Sequence, residues 1–437
     1  MKGDAGCLEL LRSKKFANVT VDPVVFSAID RLTGVHPRHQ GPVFLVGLGH
    51  AGTHWIAATF YLLLPFITRD LGLSYAQAGA LVSLFHISSV TANFGSGMVV
   101  DVTGRRVLFQ VVSLVVGAGA LFAFGAAGQF MLLFILIALI GASNNLWHPA
   151  AISFLSERYP NSRNYALSIH AFGANLGDTL APVAAGALLL ALSWHRVASI
   201  AALPVLAIAA LIAVLLLRQD KAGVRHRHHD SSFSNYVAGL KQILRNRTVM
   251  SLCLMAGVRS MAQNGLLMFL PLYLSDVLQV SPVWMGVTLM AMQLGGMVAS
   301  PIAGTWSDRI GRRPVVLAGL TLTTVTIAGL TLTRSDAVFI TGVSVLGFAL
   351  FAVRPVVHSW LMDLTPPHLG GSATSLLFGT QAGLSAMVPI IGGVIADAWG
   401  LTVVFYFLAG TMLVANVLVY LLPHHDPSAV RTARSTE

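Results

Sequence analysis

The sequence is poor in charged residues and in cysteine. Only 10% of its 437 residues are Asp, Glu, Lys or Arg, whereas a soluble domain carries about 25%. A water-facing globule of this size would lack the polar surface that keeps it dissolved, which excludes a soluble enzyme. The two cysteines, Cys7 and Cys253, are too few for a disulfide framework or a four-ligand zinc site.

Long apolar runs take the place of the missing charge, and hydrophobic residues make up 55% of the chain. A hydrocarbon core of about 30 Å is crossed by about 20 apolar residues in a helix. On this rule we predict an all-α integral membrane protein with twelve transmembrane helices. Their limits are 41–66, 75–100, 107–127, 130–156, 164–192, 196–217, 249–275, 283–306, 314–333, 337–362, 371–396 and 401–422.

The net charge of +10 is unevenly distributed over the predicted loops. Of the 27 lysines and arginines, 22 lie in the two tails and in the loops on the same side, against three on the other side. Because basic loops stay in the cytoplasm, both termini are predicted to be cytoplasmic, in a bacterial inner membrane. Nucleic acid is not needed as a partner to explain the charge. We interpret the Arg/His run at 225–229 as a solvated linker and not as a metal site.

The second half of the chain repeats the first at an offset of 206 or 207 residues. The segment Gly97–Arg106 recurs as Gly304–Arg313, and other matches fall in three further spans. Such a repeat predicts two pseudo-symmetric six-helix bundles that rock about a central cavity. The predicted domains are a cytoplasmic N-terminal tail 1–40, bundles 41–217 and 249–422 joined by a basic linker 218–248, and a cytoplasmic tail 423–437.

The repeated loop predicts a conformational latch. Its glycines allow close helix approach, and its aspartates could meet the positive N-termini of other helices. Asp101 would then meet span eleven near Ser372, and Asp308 would meet span five near Asn164. The alternative is a tight turn with basic anchors. The latch residues are Gly97, Asp101, Gly104, Arg105, Arg106, Gly304, Asp308, Gly311, Arg312 and Arg313.

These two loops resemble the signature of the major facilitator superfamily. The resemblance covers about residues 41–422 and implies twelve helices and alternating access to a central site. Within that superfamily the chain is similar to the fosmidomycin-resistance group of efflux proteins at 49–50, 73–79, 147–149 and 173–177. Where that group carries Asn-Asp in span one, this chain has Thr53-His54, so an acidic proton carrier is not implied there.

Three charged residues lie deep within the predicted spans, namely Asp178, Arg259 and Arg354. Each costs about 2.5–3.5 kcal/mol at a helix centre, so each should face a cavity or a partner. The equivalent positions of the other half hold leucine, threonine and histidine. Because the equivalent positions differ, the repeated fold does not require a charged residue at any of these three positions.

Depth along the helices places two arginines and two histidines near the midplane. We predict a substrate pocket formed by Arg259, Arg354, His50, His148 and His358, because guanidinium groups bind carboxylate, phosphate or phosphonate. For proton coupling we predict Asp178 and a histidine such as His170, His50 or His148. The alternative, that Asp178 only neutralises an arginine, stays open.

The predicted function is alternating-access export of a small amphipathic or anionic compound, coupled to protons. A proton-coupled importer of an organic anion is the first alternative, and a membrane-embedded enzyme is a distant one for which no catalytic cluster is present. The expected partners are a small-molecule substrate, protons and lipid, with no cofactor, and the expected state is a monomer. The first 40 residues could form a surface helix or a disordered tail, and we favour disorder.

Overall fold

The computed structural model describes residues 33–219, 241–333, 335–366 and 369–422. These residues form twelve long helices near the predicted limits and no strand, so the predicted all-α fold is confirmed. We name the helices α1 to α12 in chain order. They are Gly41–Asp70, Tyr75–Thr103, Arg106–Phe124, Phe130–Arg158, Arg163–Leu188, Trp194–Leu216, Arg247–Asp276, Pro282–Ile310, Arg312–Leu330, Asp336–Asp363, Gly370–Trp399 and Leu401–Leu421.

Nine of these twelve helices are long and apolar enough by composition alone to cross a membrane. The three others, α2, α5 and α7, carry more polar side chains along their length. Polar residues in membrane helices face the bundle interior or a water-filled cavity. The polar composition of these three helices therefore indicates that they border the interior of a multi-pass membrane protein.

The helices pack in two groups of six with the same internal arrangement. In the first group α1 packs on α5 and α6, α2 on α4, and α3 on α4 and α6. In the second group α7 packs on α11 and α12, α8 on α10, and α9 on α10 and α12. The predicted repeat is thus present in the packing, and the two groups meet through α2 with α11, α5 with α8, and α1 with α7.

The two groups touch at one end and stand apart at the other. At the closed end, where α1 ends and α2 begins, a Cβ on Gly79 would lie 2.1 Å from the carbonyl oxygen of Pro389. A Cβ on Gly186 would lie 2.4 Å from the carbonyl oxygen of Pro282. At the open end nothing lies within 4 Å of a Cβ built on Gly97 of α2. The cleft between the groups therefore opens toward the end where the chain enters α1.

Residues 33–40 precede α1 and pack against the loop between α4 and α5. Tyr159 donates a hydrogen bond to the carbonyl oxygen of His39, 2.7 Å away, and Tyr165 donates one to Gln40. Burial raises the pKa of Tyr159, which keeps its hydroxyl protonated as the donor. Val35 is buried. The expectation of a disordered tail is therefore wrong for residues 33–40, because these hydrogen bonds and this apolar contact fix the segment; residues 1–32 lie outside the described ranges.

Candidate functional site

A histidine-rich cluster lies between α1, α4 and α5 of the first group. His50 and His54 are one turn apart and share a face of α1. His54 Nδ1 lies 2.9 Å from Asp178 Oδ2 of α5, and both side chains are about one-quarter exposed. The ring centroids of His50 and His54 lie 4.8 Å apart, edge to face. The cluster thus joins an acidic residue of α5 to the middle of α1.

His50 is buried and bonded to two other helices. Its Nδ1 lies 2.7 Å from the carbonyl oxygen of His170, and its Nε2 lies 3.3 Å from His148 Nε2. A carbonyl oxygen only accepts, so Nδ1 of His50 carries the proton. In neutral His50, Nε2 is then an acceptor, and His148 must donate from its own Nε2. The bonds therefore define the proton position on His50, and a hydrogen bond across the 3.3 Å contact requires a proton on Nε2 of His148.

His170 is held in a different way from the other histidines. Its ring stacks on His50 at 3.7 Å, and its Nε2 accepts a hydrogen bond of 3.1 Å from the indole N–H of Trp147. A proton added at Nε2 would have to displace this indole donor. This arrangement counts against His170 as a proton carrier, although its assignment from the sequence stays a prediction.

The two membrane arginines of the second group differ in exposure. Arg259 of α7 is 2% exposed and donates hydrogen bonds to Gln263 Oε1 at 2.6 Å and to the carbonyl oxygen of Leu350 at 3.1 Å. Arg354 of α10 is exposed and interacts electrostatically with Asp178 of the first group. Arg354 therefore faces the space between the groups, whereas Arg259 is enclosed in its own group.

The remaining predicted pocket residue, His358, is half-buried on α10. Its ring lies 5.7 Å from that of Phe378 of α11. His148 and Arg354 are also close enough to interact electrostatically. The structure thus brings His50, His148, Asp178 and Arg354 together around the cleft, while His358 lies one helical turn from Arg354.

The structure also shows partners that the sequence analysis did not assign. His54 was not given a role, yet it binds Asp178 directly. Its spacing of four residues from His50 was the available signal. Gln263, four residues after Arg259, satisfies part of that guanidinium, and the same spacing rule would have paired the two.

The predicted latch loops are bonded within their own groups at the open end. Arg312 binds Asp308 Oδ1 at 2.5 Å and Asp363 Oδ2 at 3.0 Å, and Arg106 pairs with Glu157 in the equivalent place of the first group. Asp308 is therefore held by its own loop, and contact with α5 near Asn164 stays a prediction for another conformation.

The other predicted latch residues lie in turns, beside open space or in contacts within their own group. Gly104 has φ 65° and Gly311 has φ 95°, conformations that glycine adopts without strain. Nothing lies within 4 Å of a Cβ on Gly304, which matches Gly97. Arg105 is exposed before α3, and Arg313 donates to the carbonyl oxygen of Tyr420. The side chain of Asp101 and that of Ser372 lie outside the described part of the structure.

Polar contacts join the two groups at the closed end. Arg69 of α1 donates to Asp276 of α7 at 3.3 Å, and the hydroxyl of Tyr75 donates to the same carboxylate at 3.0 Å. A cavity of about 680 Å³ lined by these three residues lies at this end. It is separate from the histidine cluster.

The histidine cluster was tested as a metal site. One ring nitrogen from each of His50, His54 and His148 lies within 4.8 Å of the others. Ligands of a tetrahedral zinc ion lie only about 3.4 Å apart, since Zn–N bonds are about 2.1 Å. A divalent ion would also add positive charge beside Arg354 with one carboxylate nearby. The cluster therefore fits a hydrogen-bonded network better than a metal site.

Comparisons with known proteins match the architecture. A family model described as Major Facilitator Superfamily matches residues 44–388 and, in a second match, 252–437. The fosmidomycin resistance protein of Escherichia coli strain K12 is 21% identical over 382 residues, which covers 86% of this chain and 91% of that protein. The phosphoglycerate transporter protein of Salmonella typhimurium strain LT2 is 22% identical over 425 residues, covering 90% of each chain.

A solved structure shows the same fold. A bacterial homolog of the human lysosomal transporter Spinster, in an inward-facing and unoccupied conformation, superposes with a TM-score of 0.73 at 16% identity. The match covers 89% of this chain and 96% of that one. The predicted resemblance is confirmed, and the membrane enzyme is excluded as an alternative because these relatives are transporters. The chain belongs to the Major Facilitator Superfamily and is a multi-pass membrane transporter of small molecules.

Proposed function

We propose that the protein is a proton-coupled exporter of small amphipathic or anionic compounds in the bacterial inner membrane. The basic loops support an orientation with both termini in the cytoplasm. In that orientation the cleft opens to the cytoplasm, so a substrate enters from inside. We expect one chain to be sufficient, since each monomer contains both groups of helices and the cleft.

The observation that carries this proposal is the position of Asp178 between His54 and Arg354, one from each group. His54 of its own group binds it at 2.9 Å, and Arg354 of the other group interacts with it electrostatically. Protonation of Asp178 removes the charge that attracts Arg354 and changes the balance between the groups. A proton can thus change the relative stability of the two cleft conformations.

The charge of the substrate decides the sign of coupling at this pair. A cationic amphipathic compound beside Asp178 favours the ionised carboxylate and disfavours its protonation, which gives exchange of substrate for proton. An anion on Arg354 instead favours a protonated Asp178, because the two negative groups compete for one guanidinium. The geometry therefore supports exchange for cationic amphipathic compounds.

The same contact favours a second candidate function for anions. Because an anion and a proton would bind together, an anionic substrate would be co-transported with protons. This is the proton-coupled importer of an organic anion. The similarity to a phosphoglycerate transporter agrees with this candidate, and the similarity to a fosmidomycin resistance protein agrees with export.

Proteoliposomes that contain the purified protein and an internal pH dye test both candidates. Ethidium serves as an amphipathic cation and fosmidomycin as an anionic phosphonate. Export by exchange predicts that ethidium drives protons in the opposite direction, and that Asp178→Asn abolishes this flux. Asp70→Asn is the matched control, because asparagine can still accept the hydrogen bond from Trp194. Proton movement in the same direction as fosmidomycin would favour the importer, and full pH-driven transport by Asp178→Asn would refute the carrier role of Asp178.

A further inference from the structure

We propose that His50 is the positioning residue that couples the proton site at Asp178 to the substrate site at Arg354. This inference rests on the proposed function and adds a residue and a route to it. His50 was predicted to bind substrate, but it is only 5% exposed. Its place is therefore inside the first group, behind the surface of the cleft.

The bonds of His50 bridge three helices. Through Nδ1 it holds the backbone of α5 at His170, two turns before Asp178. Through Nε2 it holds His148 of α4 at 3.3 Å. Because the ring is rigid, a shift of α5 that follows a change at Asp178 is passed to α4. His148 interacts with Arg354, so the shift reaches the residue that faces substrate.

The titratable groups that face His50 come from three helices, namely His54 on α1, His148 on α4 and His170 on α5. Asp178 and Arg354 lie one step further away. His54 packs against the His50 ring and binds Asp178 itself, and His148 interacts electrostatically with Arg354. The proton site and the substrate site are therefore joined through contacts as far as His148 and through an electrostatic interaction from there to Arg354, and such a network can carry local coupling.

The second half of the chain shows that the fold does not need this bridge. At the offset of 206 residues His50 corresponds to Ala256, and His170 corresponds to Leu376. Ala256 is fully buried on α7 in the same kind of helix packing. A histidine that only filled space would not need bonds to two neighbouring helices.

The bridge also restricts where a proton can be added. Nδ1 of His50 is committed to the carbonyl oxygen of His170, so an added proton must go to Nε2, which faces His148. Two N–H groups cannot share that 3.3 Å contact as a hydrogen bond. The His50–His148 contact therefore exists in a bonded form and a broken form, and charge near the pair selects between them.

The test measures the affinity of purified protein for fosmidomycin, the anionic probe for Arg354, at several pH values. If His50 couples the sites, His50→Ala flattens the pH profile as far as Asp178→Asn does, whereas coupling of this type changes affinity about fivefold or more in the unmodified protein. In the pH range where fosmidomycin binds best, His50→Ala should change the affinity much less. A purely structural role would lower stability or affinity at every pH without flattening the profile.

Two conservative variants separate the two bonds. His50→Gln keeps the reach to His148, and His50→Asn keeps a donor near the carbonyl oxygen of α5. We expect each to retain part of the pH dependence, and they also decide the question if His50→Ala does not yield monodisperse protein. His195→Gln is the matched control, because His195 lies 3.9 Å from Asp70 at the closed end, outside the bridge.

The outcomes distinguish this inference from the proposed function. A pH-dependent affinity that Asp178→Asn flattens and His50→Ala preserves would overturn the role of His50 alone. A fosmidomycin affinity with the same pH dependence in Asp178→Asn as in the unmodified protein would overturn proton coupling at Asp178 and with it this inference. Flattening by both Asp178→Asn and His50→Ala, with the profile of His195→Gln unchanged, supports the bridge.

Discussion

Asp397, in the last turn of α11, accepts hydrogen bonds from the backbone N–H groups of Tyr75 and Ala76 at 2.8 and 2.9 Å. These are the first two residues of α2, whose N–H groups have no partner inside their own helix. A carboxylate here also interacts favourably with the positive end of the helix dipole. Asp397 is therefore an N-terminal cap supplied by the opposite group, and it must be released before the closed end opens.

Loss of this cap should shift the protein toward a conformation that opens at this end. Removal of a capping side chain costs about 1 kcal/mol, which corresponds to about fivefold in population. We expect Asp397→Ala to slow alkylation of a cysteine placed at Phe378, an exposed residue beside His358, in a chain without native cysteines, because the other end closes. Asp70→Asn, whose bond to Trp194 stays within one group, should leave the rate unchanged. Equal rates in all three proteins would contradict the cap.

Glycine at position 79 allows a close contact between the two groups. A Cβ there would lie 2.1 Å from the carbonyl oxygen of Pro389, which α11 cannot accommodate without a shift. We expect Gly79→Ala to destabilise this conformation and to slow alkylation at Phe378→Cys in the same way. Gly119→Ala on α3 is the matched control, since a Cβ there meets nothing within 4 Å. If the two alanines changed the alkylation rate equally, close packing at Gly79 would not hold the closed end.

Helix α2 takes part in a cap at each of its two ends, and only one of these caps belongs to the latch that the sequence predicts. Asp397 caps α2 at the closed end, and Asp101 at the other end of α2 is the residue expected to cap α11. The two helices are antiparallel, so one cap can form as the other breaks. The repeated loop indicated only one of these ends, because Asp397 lies outside the repeated motif.

Most of the fold follows from the sequence, because span length and the repeat are properties of the chain alone. Depth along a helix also follows, and it brought His50, His148 and Arg354 to one level. The rotation of each helix about its axis does not follow, since it depends on packing between helices. This is why Arg259 and Arg354 seemed equivalent from depth and differ in exposure. The bond between His54 and Asp178 could not be predicted from the sequence for the same reason.

The exposure of the two arginines predicts different effects on binding and stability. Arg354→Gln should weaken fosmidomycin binding by about tenfold or more, because a charge-assisted hydrogen bond contributes about 1.5–3 kcal/mol. Its effect on thermal stability should be small. Arg259→Gln should lower the melting temperature, because it leaves the carbonyl oxygen of Leu350 and Gln263 without their buried donor. Binding assays and thermal unfolding in detergent measure both quantities, and a reversed pattern would assign the anion site to Arg259.

Replacement of His170 is expected to lower stability without loss of proton coupling. Its Nε2 accepts from Trp147, so His170→Leu, which copies Leu376 of the other half, leaves a buried indole N–H unpaired. The expected loss of stability is about 1–3 kcal/mol. The backbone carbonyl that binds His50 remains, so the pH dependence of fosmidomycin affinity should persist. A flattened pH profile in a folded His170→Leu protein would restore His170 as a proton carrier and would remove the argument from its bond to Trp147.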